Sequence, residues 1–339
     1  MRAAVWNDQG TVDVVTLAKP QPRPGWVRLK VGACGICGSD LHGYKNPTMQ
    51  WSGARPGHEI TAFVDALGEG VQMDIGQMMA VEPIDSCGAC PDCDDGHYNL
   101  CSQVKLLGFG HAGGLAEYVE APAHRLHPLP QDMNMAVATM AEPLAVCVRA
   151  IRLAGVGLGK QVAVLGAGTI GLLTVAAARM GGAANIHVTA RHPRQAELAR
   201  ALGANETYQD IETMLGAVGD RAFDIIIETV GGWGDTLIEA VRVAAPGATI
   251  VNVGCFEGNT SIPGPMFFEK ELTLKASNCY AFGQGYSDFA LAVGLLPSLA
   301  TQVEPMITHR FALDEIGPAF DTALDKSTGS IKVQIHLAP

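Results

Sequence analysis

The stretch "QVAVLGAGTIGLLTVAAARM", residues 161–180, constrains the fold of this chain more than any other. An apolar, β-branched run ends in glycines spaced G-x-G-x-x-G (Gly166, Gly168, Gly171), and an alanine-rich run follows. A buried strand, a tight turn and a buried helix explain that order better than a membrane span of similar length. Gly166 permits the turn, and Gly168 lets the backbone approach a pyrophosphate. Gly171 allows close helix–strand packing, and the helix N-terminus, at Thr169 and Ile170, favours the anion. The pattern predicts a dinucleotide site.

The surroundings agree. "NIHVTA", "FDIIIETVG" and "ATIVNVG" alternate with helical runs such as "RQAELARALGA" and "DTLIEAVRVA". That rhythm predicts a doubly wound parallel sheet of the Rossmann kind. Its second strand should end in an acid for the adenosine ribose, about 20 residues after the glycines. The chain instead reads Thr189, Ala190, Arg191, His192, with no carboxylate. Ala190 leaves room, and the planar fork of Arg191, with Arg194 nearby, suits a 2′-phosphate, so NADP is favoured over NAD. An S-adenosylmethionine site would want an acid in the same place. Val230, Val253 and the backbone near Ser277 fall at later strand ends, where cofactor contacts gather.

With 339 residues the chain is too long for one typical core. At 48% hydrophobic and 17% charged it is globular in composition. A net charge of −11 without a basic run argues against nucleic acid or an anionic membrane as partner. The start "MRAAVWNDQG" has no apolar signal core, so a cytoplasmic protein is expected. Residues 1–148 read as β-rich, with a helix from Met135 to Ala154 that carries Pro143 inside it. Residues 285–339 read as two helices and a last strand, "SIKVQIHL", too little for a core of their own. The expected domains are therefore 1–148 plus 285–339, and 149–284.

Nine cysteines in a cytosolic chain are not disulfides by default. Cys87, Cys90, Cys93 and Cys101 follow C-x-x-C-x-x-C-x7-C, a spacing that closes a four-thiolate zinc shell within one loop. Such a site has no open position and is structural; an iron–sulfur cluster is the other metal reading. His97, inside the loop, is expected at the surface. Cys147, Cys255 and Cys279 are expected to be small buried hydrophobes.

"CGICGSDLH", residues 34–42, is compatible with a redox pair, a metal site or a crowded loop. "GHEI" supplies His58 and Glu59. Glu142 sits in the apolar "MAEPLAV", where a carboxylate is costly unless paired or bound to a metal. Singly these have plain readings: a surface His–Glu pair, a helix-terminal glutamate.

Taken in order, "CGICGSDLH", "GHE", the four-cysteine segment, "GGLAEYV", "EPLAV" and "GAGTIG" resemble the zinc-dependent medium-chain alcohol dehydrogenases over essentially the full length. The polyol (sorbitol-type) and threonine dehydrogenases are the nearest branch. The resemblance implies an α/β chain, a GroES-like β-rich catalytic domain joined to a Rossmann domain. It implies catalytic zinc on Cys37, not Cys34, completed by His58 and Glu59, with Glu142 a fourth ligand or behind a zinc-bound water. It also implies a proton path from Ser39 through the nicotinamide ribose to His42, two residues that one helical turn places on one side. Asp40 would fix the ring of His58. The implied reaction is NAD(P)-linked interconversion of a secondary alcohol or polyol and its ketone, or of a threonine-type hydroxy-amino acid. Tyr44, the "LLGFGHAGG" loop and the "NCYAFGQGY" stretch would line the substrate pocket, with His111 and Tyr280 making it polar. "ELTLKASNCY" would pair across a homodimer or homotetramer.

Overall fold

The computed structural model describes residues 1–46, 51–283 and 285–337. Gln284 and residues 338–339 of the expected pocket stretch and tail lie outside the described residues. The chain divides into two compact units, Met1–Glu142 with Ala281–Pro339, and Pro143–Tyr280.

The first unit is built on a seven-stranded sheet. Its order is Leu126–Pro128, Met78–Val81, Glu59–Leu67, Trp26–Gly35, Lys332–His336, Ile307–Ala312, and Tyr118–Pro122 also pairs with Trp26–Gly35. Strand Trp26–Gly35 alternates apolar residues toward a core that includes Leu29, Val31, Ile60, Val119, Phe320 and Ile335. The last strand therefore completes a sheet begun some 300 residues earlier, at the register Gly35↔Gln334 and Cys34↔Ile335. Strand Ile307–Ala312 was not anticipated; it pairs parallel to the last strand.

Two local expectations need correction. The segment Met135–Ala154 is two helices, Met135–Ala138 and Ala141–Ala154. Pro143 is thus a first-turn residue, where its missing N–H has no intrahelical acceptor to lose. Of the scattered cysteines, Cys147 is buried as expected, whereas Cys255 is exposed and Cys279 half-buried. Both sit in loops that follow strands.

The second unit holds a six-stranded, wholly parallel sheet. Its order is Glu206–Tyr208, Asn185–Thr189, Gln161–Leu165, Phe223–Glu228, Ala244–Asn252, Thr273–Ala276. Numbered along the chain this is 3-2-1-4-5-6, the doubly wound order whose switch point lies beside the first strand. The apolar run weighed as a membrane span is strand Gln161–Leu165 followed by helix Thr169–Met180. Among the described residues one stretch, Asp288–Met306, is long and apolar enough to cross a membrane by length and composition. It carries Pro297 and buries Phe289, Ala292, Leu296, Leu299 and Val303.

Candidate metal centre and dinucleotide site

Strand Trp26–Gly35 leads to Cys37, the N-cap of the short helix Gly38–Gly43. Glu59 opens the neighbouring antiparallel strand and pairs with Gly35. A Cβ on residue 35 would stand 1.9 Å from Glu59 Oε2, so glycine there gives the carboxylate its room. His58 immediately precedes. One ligand atom each from Cys37, His58 and Glu59 lies within 4.8 Å of the others, and Cys34 is not part of that group.

A sulfur, an imidazole nitrogen and a carboxylate oxygen form a donor set that suits Zn2+, and three protein donors leave a position open. His58 Nδ1 is buried without a hydrogen-bond partner, a cost the native fold ordinarily avoids. The residues fit a cation.

The electrostatics separate the two cysteines. Burial pushes the Cys34 thiol well above its ordinary pKa, and Asp40 and Glu59 push the same way. A neutral buried thiol is inert as a ligand. Burial disfavours a charged His58, yet the Cys37 sulfur, Asp40 and Glu142 outweigh it and hold the imidazole pKa well above the usual range. Glu142, buried in the first turn of its helix, acts on this cluster without being one of the three converging ligands.

Asp40 is buried, and burial raises its pKa against the opposing pull of His58. Its Oδ2 accepts from the Cys37 backbone N–H at 3.0 Å, closing the helix turn from which Cys37 projects. Oδ1 has no hydrogen-bond partner, so Asp40 holds the backbone of the thiol ligand and no hydrogen bond joins it to the His58 ring. Ser39 and His42 are both partly exposed on the same short helix, three residues apart.

Sequence reasoning missed Lys332. Its Nζ lies 2.7 Å from both Oε1 and Oε2 of Glu59 and donates to Ile36 O at 3.1 Å. Lysine and glutamate are 3% and 1% exposed, so this is a buried ion pair. Burial works against the lysine charge, but Glu59, Cys37 and Glu142 keep its pKa above the ordinary value. The only signal available was a lysine inside an apolar strand, with its partner 273 residues away.

Cys87, Cys90, Cys93 and Cys101 also bring their sulfurs within 4.8 Å of one another. Cys87 and Cys93 Sγ are 3.9 Å apart. Hydrogen bonds from the backbone of Cys87 and Gln103 draw the Cys101 thiol down to about 7. His97 is exposed.

In the second unit Gly166 has φ +99°, and Gly171 stands so close that its Cβ would be 2.0 Å from Gly166 O. Gly168, the N-cap of helix Thr169–Met180, has open space where a Cβ would be. Thr189 Oγ1 accepts from Gly166 N–H at 2.8 Å, tying the end of the second strand to the turn. Ala190 is buried beside it, while Arg191 and Arg194 are exposed at the start of helix Pro193–Ala201. Val230 is half-exposed and would touch a Gly166 Cβ at 2.7 Å. Val253 N–H donates to Glu228 O at 2.9 Å. Ser277 is buried next to the outer strand.

The residues expected to line the pocket have the following surroundings. Tyr44 packs on Phe320 at 4.9 Å between centroids. His111 Nε2 bonds Asp85 Oδ2 at 2.8 Å, and its ring meets Trp26 edge-on. Tyr280 is fully buried. The ring beside His58 is Phe109, 5.6 Å away, with Trp51 packed against it at 5.2 Å. Phe109 belongs to the expected loop, but its direction depends on the tight turn Leu106–Phe109, which composition does not reveal.

Comparison with known proteins gives two family matches, the alcohol dehydrogenase GroES-like domain over residues 23–131 and the zinc-binding dehydrogenase over 169–296. The chain is 30% identical to a sorbitol dehydrogenase of Bacillus subtilis, over 99% of this chain and 97% of that one. It is also 30% identical to an L-threonine 3-dehydrogenase of Pyrococcus furiosus, over 94% of each. Among solved structures it is similar to a zinc-binding dehydrogenase of Sinorhizobium meliloti bound to NADP. That match has a TM-score of 0.90 and 30% identity, covering 99% and 98% of the two chains. Galactitol-1-phosphate dehydrogenase of Escherichia coli matches at TM-score 0.90 and 29% identity, covering 99% of this chain and 100% of that one.

Proposed function

The chain belongs to the zinc-dependent medium-chain alcohol dehydrogenases, and from that membership we propose that Cys37, His58 and Glu59 hold the zinc at which it interconverts a secondary alcohol or polyol and its ketone. The observation that carries the reading is the convergence of those three side chains, from two separate segments, to within 4.8 Å. When bound, zinc supplies Lewis acidity toward the alcohol oxygen and the nicotinamide accepts the hydride.

The rest is the work of the protein. Cys37 and Glu59 offer negative charge to the cation, and the buried Glu142 carboxylate adds a third negative charge that acts on His58 and Lys332. Asp40 fixes the turn that presents Cys37. Ser39 takes the proton released from the alcohol and His42, partly exposed, returns it to solvent; their spacing on one helical turn supports that order. Cys87, Cys90, Cys93 and Cys101 hold a structural zinc. In this reading the first unit carries the chemistry and the second binds the dinucleotide.

NADP is the preferred dinucleotide. Ala190 leaves no carboxylate to repel a 2′-phosphate, and Arg191 and Arg194 stand exposed next to it. A sorbitol-type polyol is the first substrate class; a threonine-type hydroxy-amino acid is second, on the strength of the threonine dehydrogenase relative. The enzyme works in the cytoplasm as a homodimer or homotetramer. Strand Thr273–Ala276, the exposed outer strand of the parallel sheet, suits pairing with a second copy.

The test is a turnover screen of sugar alcohols, secondary alcohols and threonine with each dinucleotide, alongside zinc content. Turnover of a polyol or secondary alcohol, with two zinc ions per chain, supports the reading; zinc-free turnover overturns it. Arg191→Ala should weaken NADP about tenfold and leave NAD nearly unchanged, a loss typical of one charged contact. Equal loss for both dinucleotides would remove Arg191 from the phosphate site.

A further inference from the structure

Resting on the reading of Cys37, His58 and Glu59 as a metal centre, we propose that Lys332 and the catalytic zinc compete for the carboxylate of Glu59. The lysine thereby keeps the empty site assembled and weakens the site's hold on its metal.

The geometry is that of a shared acceptor. Both oxygens of Glu59 lie 2.7 Å from one ammonium group, so each oxygen already carries a charged donor, and a metal there must share the carboxylate's charge with it. The third bond of that ammonium, to Ile36 O at 3.1 Å, falls one residue before Cys37. Lys332 therefore ties together the two segments that carry the thiol and the carboxylate. Glu59, Glu142 and Asp40 are all buried around it. Carboxylates buried together repel one another and are costly unless a cation sits among them. Lys332 is that cation when zinc is absent, and when zinc arrives two positive charges act on one carboxylate.

Antagonism of this kind is reciprocal: whatever Lys332 costs the metal, the metal costs the lysine–glutamate pair. The lysine is a positioning residue, and its signature is metal affinity. Zinc affinity of the protein, with the four-cysteine site loaded, is measured by competition with a chromophoric chelator. Lys332→Met should tighten binding at the Cys37 centre about tenfold, within the usual range of coupling between sites. It should also lower the melting temperature of the metal-depleted protein more than that of the loaded protein. In a Glu59→Gln background the same substitution should change affinity by less than about twofold, because the contested charge is gone. Lys332→Gln, which keeps hydrogen bonding without charge, is read in the same way if the methionine variant does not fold. Unchanged or weaker zinc binding in a folded Lys332 variant overturns the competition. The metal-centre reading is judged separately: if Cys37→Ser keeps both zinc ions, that reading is what has failed.

Discussion

The four-cysteine loop and the Cys37–His58–Glu59 centre lie in the same unit and are built on opposite plans. The loop collects its donors from residues 87–101, and three of its four cysteines are at least partly exposed. The centre draws on two neighbouring strands and a third from the far end of the chain, and His58, Glu59 and Lys332 are all buried. In the proposed reading the loop depends on its metal. The centre is held by the sheet and by an internal ion pair, so its geometry precedes its metal. On that reading one site is built for permanence, the other for an open coordination position.

The sharpest way to break this contrast is to remove one thiol from each. Cys37→Ser should lower turnover by more than about a hundredfold, since loss of a ligand costs more than loss of a ligand's outer partner. Melting temperature and dinucleotide binding should barely move. Cys101→Ser should do the reverse. Its thiol is buried and is drawn down to about 7 by backbone donors, so the loop loses its best-prepared donor. The melting temperature should fall by roughly 5 °C, and a protease should cut within residues 87–101. The protein that remains folded should keep most of its turnover. If both variants fail in the same assay, the two sites are not specialised as argued.

The same contrast explains what could be read from the sequence. The four cysteines and the glycine turn are local: spacing alone carries them, and the structure brings each group together. The parallel sheet followed from alternating runs, because each strand–helix unit is settled by its own periodicity, whereas its strand order came from the structure. Cys37, His58 and Glu59 came from a resemblance, since nothing in their separation implies that Gly35 and Glu59 are register partners. Lys332 escaped altogether: its meaning depends on a pairing with Glu59 across 273 residues. The surroundings of the pocket candidates were illegible for a related reason. Tyr44 and His111 are the right types for a polar lining, but a ring's direction is set by its neighbours, and theirs are Phe320 and Asp85.

The smallest effect concerns Asp40, and it refines the account of the buried centre. The acid has two separable contributions. One is a hydrogen bond to Cys37 N–H, which fixes the turn; the other is a negative charge that favours a positive His58 or a cation beside it. Asparagine can keep the first, because its amide oxygen accepts the same N–H, and it lacks the second. Asp40→Asn should therefore cost about tenfold in zinc affinity, with kcat/KM following, while the melting temperature stays close to that of the parent. Asp40→Ala removes both contributions and leaves a buried N–H unpaired, so it should lose stability as well. Were Asp40→Asn to match Asp40→Ala in every respect, the charge would be the whole contribution and the turn would hold without its cap. Were Asp40→Asn silent, the centre would owe its preorganisation to Lys332 and the sheet, and the contrast with the four-cysteine loop would rest on those alone.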